Sequence, residues 1–260
     1  MAEELRQYHV SRYGWVPDLP DARDHLYSVP TARAGPLPPK ADLRPGCPPV
    51  YDQGQLGSCT ANAIGGAIQF ARTKQHLLPD WVPSRLFIYY NERVIERTVS
   101  QDSGAQLRDG IKSVAKLGVC DETLWPYDVA QFATKPPATA YRAALGAVAS
   151  SYARVARTLN QMKGCLASGY PFVFGFSVYD AFESDEVAQT GTLNMPASAE
   201  KLLGGHAVLA VGYDDPSQRF IVRNSWGSGW GQAGYFTIPY AYLMDDNLSD
   251  DFWTVRLVAT

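Results

Sequence analysis

The stretch QGQLGSCTANAIGGAIQFART, from Gln53 to Thr73, decides how the rest of the chain is read. Cys59, Ala63, Ala67 and Ala71 recur every four residues with Ile64 and Ile68 beside them, which predicts an amphipathic helix over Ser58 to Thr73. Small residues dominate it, among them Ala61, Gly65 and Gly66, so the helix is expected to pack closely inside the protein. Gly57-Ser58 directly before it puts Cys59 in the first turn. Unpaired backbone N–H groups and the helix dipole there favour a thiolate, the nucleophilic form of cysteine. A small buried hydrophobe is the plainer reading of the same position.

A partner base separates the two readings, and the chain has four histidines. His9 and His25 lie in the N-terminal segment, and His76 lies about 25 Å down the same helix at about 1.5 Å per residue. His206 remains, opening the apolar run Ala207 to Val211 after Gly204-Gly205. Asp214-Asp-Pro-Ser217 is a turn signal, so Ala207 to Tyr213 and Phe220 to Asn224 are expected to form an antiparallel hairpin. With the turn centred near residue 216, Asn224 falls within about two residues of the position opposite His206. An Asn carbonyl beside an imidazole fixes which nitrogen carries the proton. Trp226, two residues on, is placed to shield that bond from water.

Outward from these two points the chain divides by pattern. Helices are expected around Ser84 to Thr98, Gln106 to Lys116 with Gly118 as its cap, and Thr158 to Ala167. Strands are expected at Pro171 to Val178, Ala207 to Tyr213, Phe220 to Arg223, Tyr235 to Pro239 and Phe252 to Val258. Trp125 to Ala138 reads as a Pro-rich crossing and Glu183 to Lys201 as a long surface loop. Nine of the 18 prolines fall within residues 1 to 49, so that segment cannot be mostly helix or central strand. It reads as an extended arm, residues 1–40, anchored by aromatics such as Tyr8, Tyr13, Trp15 and Tyr27. The expected division is then 41–147 mainly helical, 148–251 β-rich and 252–260 a C-terminal strand.

At 260 residues and 46% hydrophobic content the chain can build a large core without disulfide staples. A formal charge of −3 without a basic block argues against nucleic acid or an anionic membrane as partner, and no apolar run reaches the roughly 20 residues of a membrane span. The charged N-terminus carries no secretory signal, which leaves the compartment open. No zinc-protease, P-loop or serine-hydrolase signature occurs, Gly227, Gly229 and Gly231 read as turn residues, and the acidic stretch Asp245 to Asp251 lacks the glycine and glutamate of a calcium loop. Neither metal nor cofactor is expected.

Gln53-Gly-Gln-Leu-Gly-Ser-Cys59, Gly205-His-Ala-Val208 and Asn224-Ser-Trp-Gly-Ser-Gly-Trp-Gly231 together resemble the papain-like cysteine peptidases, with the motifs in family order. The resemblance runs from about Asp42 to the C-terminus and implies an α+β, two-domain fold. A left helical domain would carry Cys59, a right antiparallel β-barrel-like domain would carry His206 and Asn224, and the active-site cleft would lie between them. It implies Cys59 as nucleophile, His206 as base and then acid, Asn224 as orienter and Gln53 as oxyanion donor. Ser103 and Gly104 look like the strip that pairs with substrate, and Gly205 and Trp226 would border the substrate site. A polypeptide substrate, a monomer and no cofactor are expected.

Three departures stand out: Thr60 where the family usually has tryptophan, Gly205 where an acidic residue often stands, and Leu56 where a cysteine is common. Cys47, Cys120 and Cys165 therefore leave room for one internal disulfide. The short arm resembles that of a compact bacterial subgroup, of which xylellain is an example, and is expected in or beside the cleft as an inhibitory prosegment. Acyl transfer, deamidation, narrow exopeptidase action or a non-catalytic peptide-binding module are the alternatives for the same residues.

Overall fold

A computed structural model of the protein describes residues 13–28 and 36–259. The arm residues outside this range, Tyr8 and His9 among them, lie outside the described residues. Three helices form one half of the body: α1 (Cys59–Lys74), α2 (Arg85–Glu96) and α3 (Leu107–Leu117). All of α1 is buried from Cys59 to Arg72, as its small residues require. A Cβ at Gly66 would touch Arg223 and Leu209, and one at Gly110 of α3 would sit 2.4 Å from Ile64 and 2.6 Å from Glu92. Neighbours therefore approach to backbone distance. Ser84 caps α2 by accepting from Phe87 N–H at 3.2 Å, and Gly118 ends α3 with a φ of +72°, a conformation glycine adopts at no steric cost.

The other half is an antiparallel sheet of β1 (Lys40–Asp42), β2 (Val148–Arg154), β3 (Phe172–Tyr179), β4 (Leu202–Asp214), β5 (Arg219–Arg223), β6 (Tyr235–Pro239) and β7 (Ser249–Ala259). Its strand order is β2-β7-β3-β4-β5-β6, with β1 also paired to β4. The β4–β5 hairpin has the expected register at Leu209↔Arg223 and Ala210↔Val222, followed by a one-residue shift. Both faces of the sheet are buried. Val173 of β3 and Ala207, Leu209 and Val211 of β4 join the core against the helices. Their alternating neighbours Phe172, Phe174, Phe176, Val208 and Ala210 join a second, aromatic core with Phe182, Trp226, Trp230 and Phe236. The α+β architecture is the expected one.

Elements the sequence reading lacked are the strands β1 and β2 and three short helices: α4 (Ala138–Ala144), α6 (Asp185–Thr190) and α7 (Tyr240–Met244). The segment read as a surface loop from Glu183 to Lys201 thus begins with helix. The fourth longer helix, α5 (Leu159–Ala167), is capped by Thr158, which accepts from Gln161 N–H at 3.3 Å. Among the described residues all four cysteines are free thiols. Among the described residues no helix is long and apolar enough to cross a membrane.

Candidate active site

Cys59 is the first residue of α1 and has no exposed surface. Its sulfur is met by the backbone N–H groups of Thr60, of Ala207 on β4 and of Gly14 on the arm. Contact with Ala207 sets the sulfur beside the strand position that carries His206. That imidazole is also fully buried, among Phe176, Phe182 and Trp226, whose ring stacks on it at 5.2 Å and 30°. Nε2 lies 2.9 Å from Asn224 Oδ1, and the same oxygen accepts from Ser225 N–H at 2.8 Å. An oxygen that already accepts a backbone N–H takes the imidazole as a second donor. Nε2 therefore carries the hydrogen and Nδ1 is the basic nitrogen of the neutral ring. Nδ1 is buried and has no hydrogen-bond partner.

The helix terminus alone implies a thiolate; burial decides otherwise. Loss of water pushes the Cys59 thiol up to about 12, against the N–H groups around it, and pulls His206 down to about 4, against its bond to Asn224. With the site covered, both groups are neutral at pH 7.

Gln53 is buried and fixed at three points: its N–H donates to Ser225 O at 2.9 Å, its Oε1 accepts from Ser225 Oγ at 2.6 Å, and its Nε2 donates to Leu56 O at 2.9 Å. The second hydrogen of Nε2 is left for another acceptor. Ser225 was not singled out in the sequence, although it lies inside the Asn224 motif.

Ser103 and Gly104 lead into Ala105, which pairs with the arm in a parallel bridge to Trp15. Ala105 N–H donates to Gly14 O at 2.7 Å and Val16 N–H to Ala105 O at 3.0 Å. The backbone bonds thus come from the residue after Gly104, and Gly104, at φ +71°, is where Gly14 crosses: a Cβ there would stand 2.2 Å from Gly14 O. On the opposite wall Gly205 O accepts from Trp15 N–H at 2.9 Å. The Trp15 ring lies over Gly175 and Gly205, where a Cβ would come within 1.9 Å and 2.7 Å of it. Its Nε1 donates to buried Asp251 at 3.0 Å. Farther along the arm, Asp24 pairs with Arg108 at 2.6 Å, and Asp18 accepts from Arg108 N–H and Trp253 Nε1, each at 3.0 Å. Tyr13 lies edge-on to His206 at 6.0 Å, with its hydroxyl on Glu183.

A cysteine at a helix start, a histidine–asparagine hairpin and a fixed glutamine amide are the parts a thiol-dependent hydrolase would need, and comparison with known proteins gives the family. Residues 37–245 match the papain family cysteine protease domain. Over 96% of its length the chain is 46% identical to a peptidase C1-like protein of Acanthamoeba polyphaga mimivirus, covering 88% of that protein. Among solved structures it is similar to xylellain, a cysteine protease from Xylella fastidiosa, with 46% identity, a TM-score of 0.89 and coverage of 95% of this chain and 96% of that one. A procathepsin B from Trypanosoma congolense shares the fold, with a TM-score of 0.71 at 19% identity over 87% of this chain and 80% of that one. The chain belongs to the papain family of cysteine proteases. Its fold is the two-domain papain fold.

Proposed function

We propose that the protein is an endopeptidase in which Cys59, His206, Asn224 and Gln53 carry the chemistry and the N-terminal arm holds it in check. The observation that carries this reading is the pairing of His206 with Asn224, which leaves a basic Nδ1 on the residue whose neighbour Ala207 touches the Cys59 sulfur. When the arm leaves, water returns and the desolvation that separates the two pKa values is relieved. The Cys59 proton then passes to His206 Nδ1, and the thiolate attacks a peptide carbonyl. The Cys59 N–H and the spare N–H of Gln53 hold the oxyanion. His206 returns the proton to the leaving amine, and water, activated by the same imidazole, hydrolyses the thioester.

The arm is read as an inhibitor because it occupies the strip and the wall a substrate backbone needs. Ala105 and Gly205 both bond to it, and Gly14 lies against the nucleophile loop, where a Cβ would be 1.8 Å from Gly57 O. Trp15→Ala in the full chain removes the ring that fills the cleft and its bond to Asp251. Peptide turnover is expected to rise roughly tenfold or more, as release of about 1.4 kcal/mol or more of arm binding implies, and to vanish when Cys59→Ala is added. Unchanged turnover in a folded Trp15→Ala protein contradicts the restraint; turnover surviving Cys59→Ala contradicts the chemistry.

A further inference from the structure

We propose that Asp102 is a positioning residue for the oxyanion site, acting on Gln53 through a single peptide plane; this rests on the reading given under Proposed function. Asp102 stands between α2 and the strip Ser103 to Ala105, and neither its sequence position nor any motif marks it. Both its carboxylate oxygens accept from Gly57 N–H, at 3.1 and 3.2 Å. That N–H belongs to the Leu56–Gly57 peptide, whose other end, Leu56 O, accepts from Gln53 Nε2 at 2.9 Å and from Ser58 N–H at 2.8 Å. A trans peptide is rigid and planar, so fixing its N–H fixes the direction of its carbonyl. The carboxylate therefore sets, at one remove, where the Gln53 amide points.

The contact requires this loop sequence. A Cβ at Gly57 would lie 2.9 Å from Asp102 Oδ1, so only glycine lets the carboxylate sit this close. A charged acceptor makes the bond to Gly57 stronger than a neutral one and polarises the N–H···O=C···H–N chain behind it. Tyr89 extends the arrangement to the substrate strip: its hydroxyl donates to Asp102 and accepts from Gly104 N–H at 3.2 Å. One carboxylate thereby ties the nucleophile loop and the strip together, keeping a peptide held at Ala105 in register with Cys59 and Gln53.

The test uses the full chain carrying Trp15→Ala. Peptide kinetics are compared with alkylation of Cys59 by iodoacetamide, a small reagent that needs the thiol but neither the oxyanion site nor the strip. Asp102→Asn is expected to lower kcat by about tenfold with KM and the alkylation rate nearly unchanged, a loss confined to the transition state. In a Gln53→Ala background the same substitution is expected to cost nothing further in kcat. Tyr89→Phe, which keeps the carboxylate on Gly57, is expected to raise KM severalfold and leave kcat nearly alone. If Asp102→Asn does not fold, Asp102→Ser, which removes the charge but keeps an accepting oxygen, is read the same way. Equal losses from Asp102→Asn with and without Gln53, or a fall in alkylation matching the fall in kcat, overturn the proposal in favour of a merely structural carboxylate. No change in kcat overturns it as well. Failure of the Trp15→Ala parent itself to hydrolyse peptides brings down the underlying reading and this one with it.

Discussion

His206 has lost its water, and its protonation is the most direct probe of that state. A histidine whose pKa is lowered by burial is destabilised as imidazolium, so the covered form gains stability as pH rises from about 4 through the usual histidine value near 6.5. Acidification across that window favours whichever form lets the ring meet water. NMR titration of the full chain is expected to place the His206 midpoint near 4, and Trp15→Ala to move it upward. A midpoint near 6.5 in the full chain contradicts burial of the ring. Ser225→Ala removes the 2.6 Å bond to Gln53 Oε1 and is expected to lower kcat about 3- to 30-fold in the Trp15→Ala chain, where Gln53→Ala lowers it by about 10²–10³-fold. Steady-state kinetics check both. Cys59, His206 and Asn224 were legible because each sits at a signal that sequence shows: a helix start, the head of an apolar run after paired glycines, and a hairpin whose turn sets the register, although β4 itself begins earlier, at Leu202, and holds His206 in its interior. Ser225, Asp102 and Asp251 were not. Their partners lie 172, 45 and 236 residues away in sequence, and no local pattern tells where a hydroxyl or carboxylate will point.

Among elements, the arm and the short helices repay most attention. Gly14 touches Gly57, Gly104 and the Cys59 sulfur at once, and a methyl group there has nowhere to go. Gly14→Ala is expected to displace the arm and speed iodoacetamide alkylation of Cys59 by roughly tenfold or more, with the body's melting unchanged by more than a few degrees. Slow alkylation like that of the unaltered chain counts against the fit. The long helices and five of the strands were readable because their apolar spacing runs over several turns or alternations. β2 reads Val-Ala-Ser-Ser-Tyr-Ala-Arg and pairs with β7 through register shifts, which blurs a period-two pattern. α4 begins straight after Pro136-Pro137, with Pro137 at its N-cap, so the prolines that read as a break in fact start a helix. α6 has six residues and buries only Val187, too little to show a period, although its Ser184 cap is visible in retrospect.

For the whole molecule, the two halves meet over a sheet buried on both faces, and the interior holds charge where charge is costly. Glu92 is fully buried behind the first turn of α1, with Oε1 accepting from Thr60 Oγ1 at 2.7 Å and Oε2 without a partner. Burial raises its pKa well above the usual value, so the folded state holds the proton longer than the unfolded one. Stability from this site is therefore present at low pH and is lost as pH rises from the normal carboxylate range toward the raised value. Glu92→Gln keeps an acceptor for Thr60 and removes the ionisation. Its melting temperature is expected to exceed that of the unaltered chain by about 2–4 °C at pH 8, with the gap closing at pH 4. Calorimetry at both values decides it, and a lower melting temperature at pH 8 refutes it.

If the proposed function holds, Cys59 is the reactive thiol and the arm covers it. Four free cysteines make this testable by mass, because burial raises the pKa of Cys47, Cys120 and Cys165 as well and, among the described residues, no histidine acts on any of them. The full chain and its Trp15→Ala form are treated with an epoxysuccinyl thiol-protease inhibitor, and the adduct is located by peptide mapping. One adduct is expected, on Cys59, forming at least about tenfold faster in Trp15→Ala and lost in Trp15→Ala/His206→Ala. Labelling at another cysteine, or equal rates on Cys59 with and without Trp15, would contradict it.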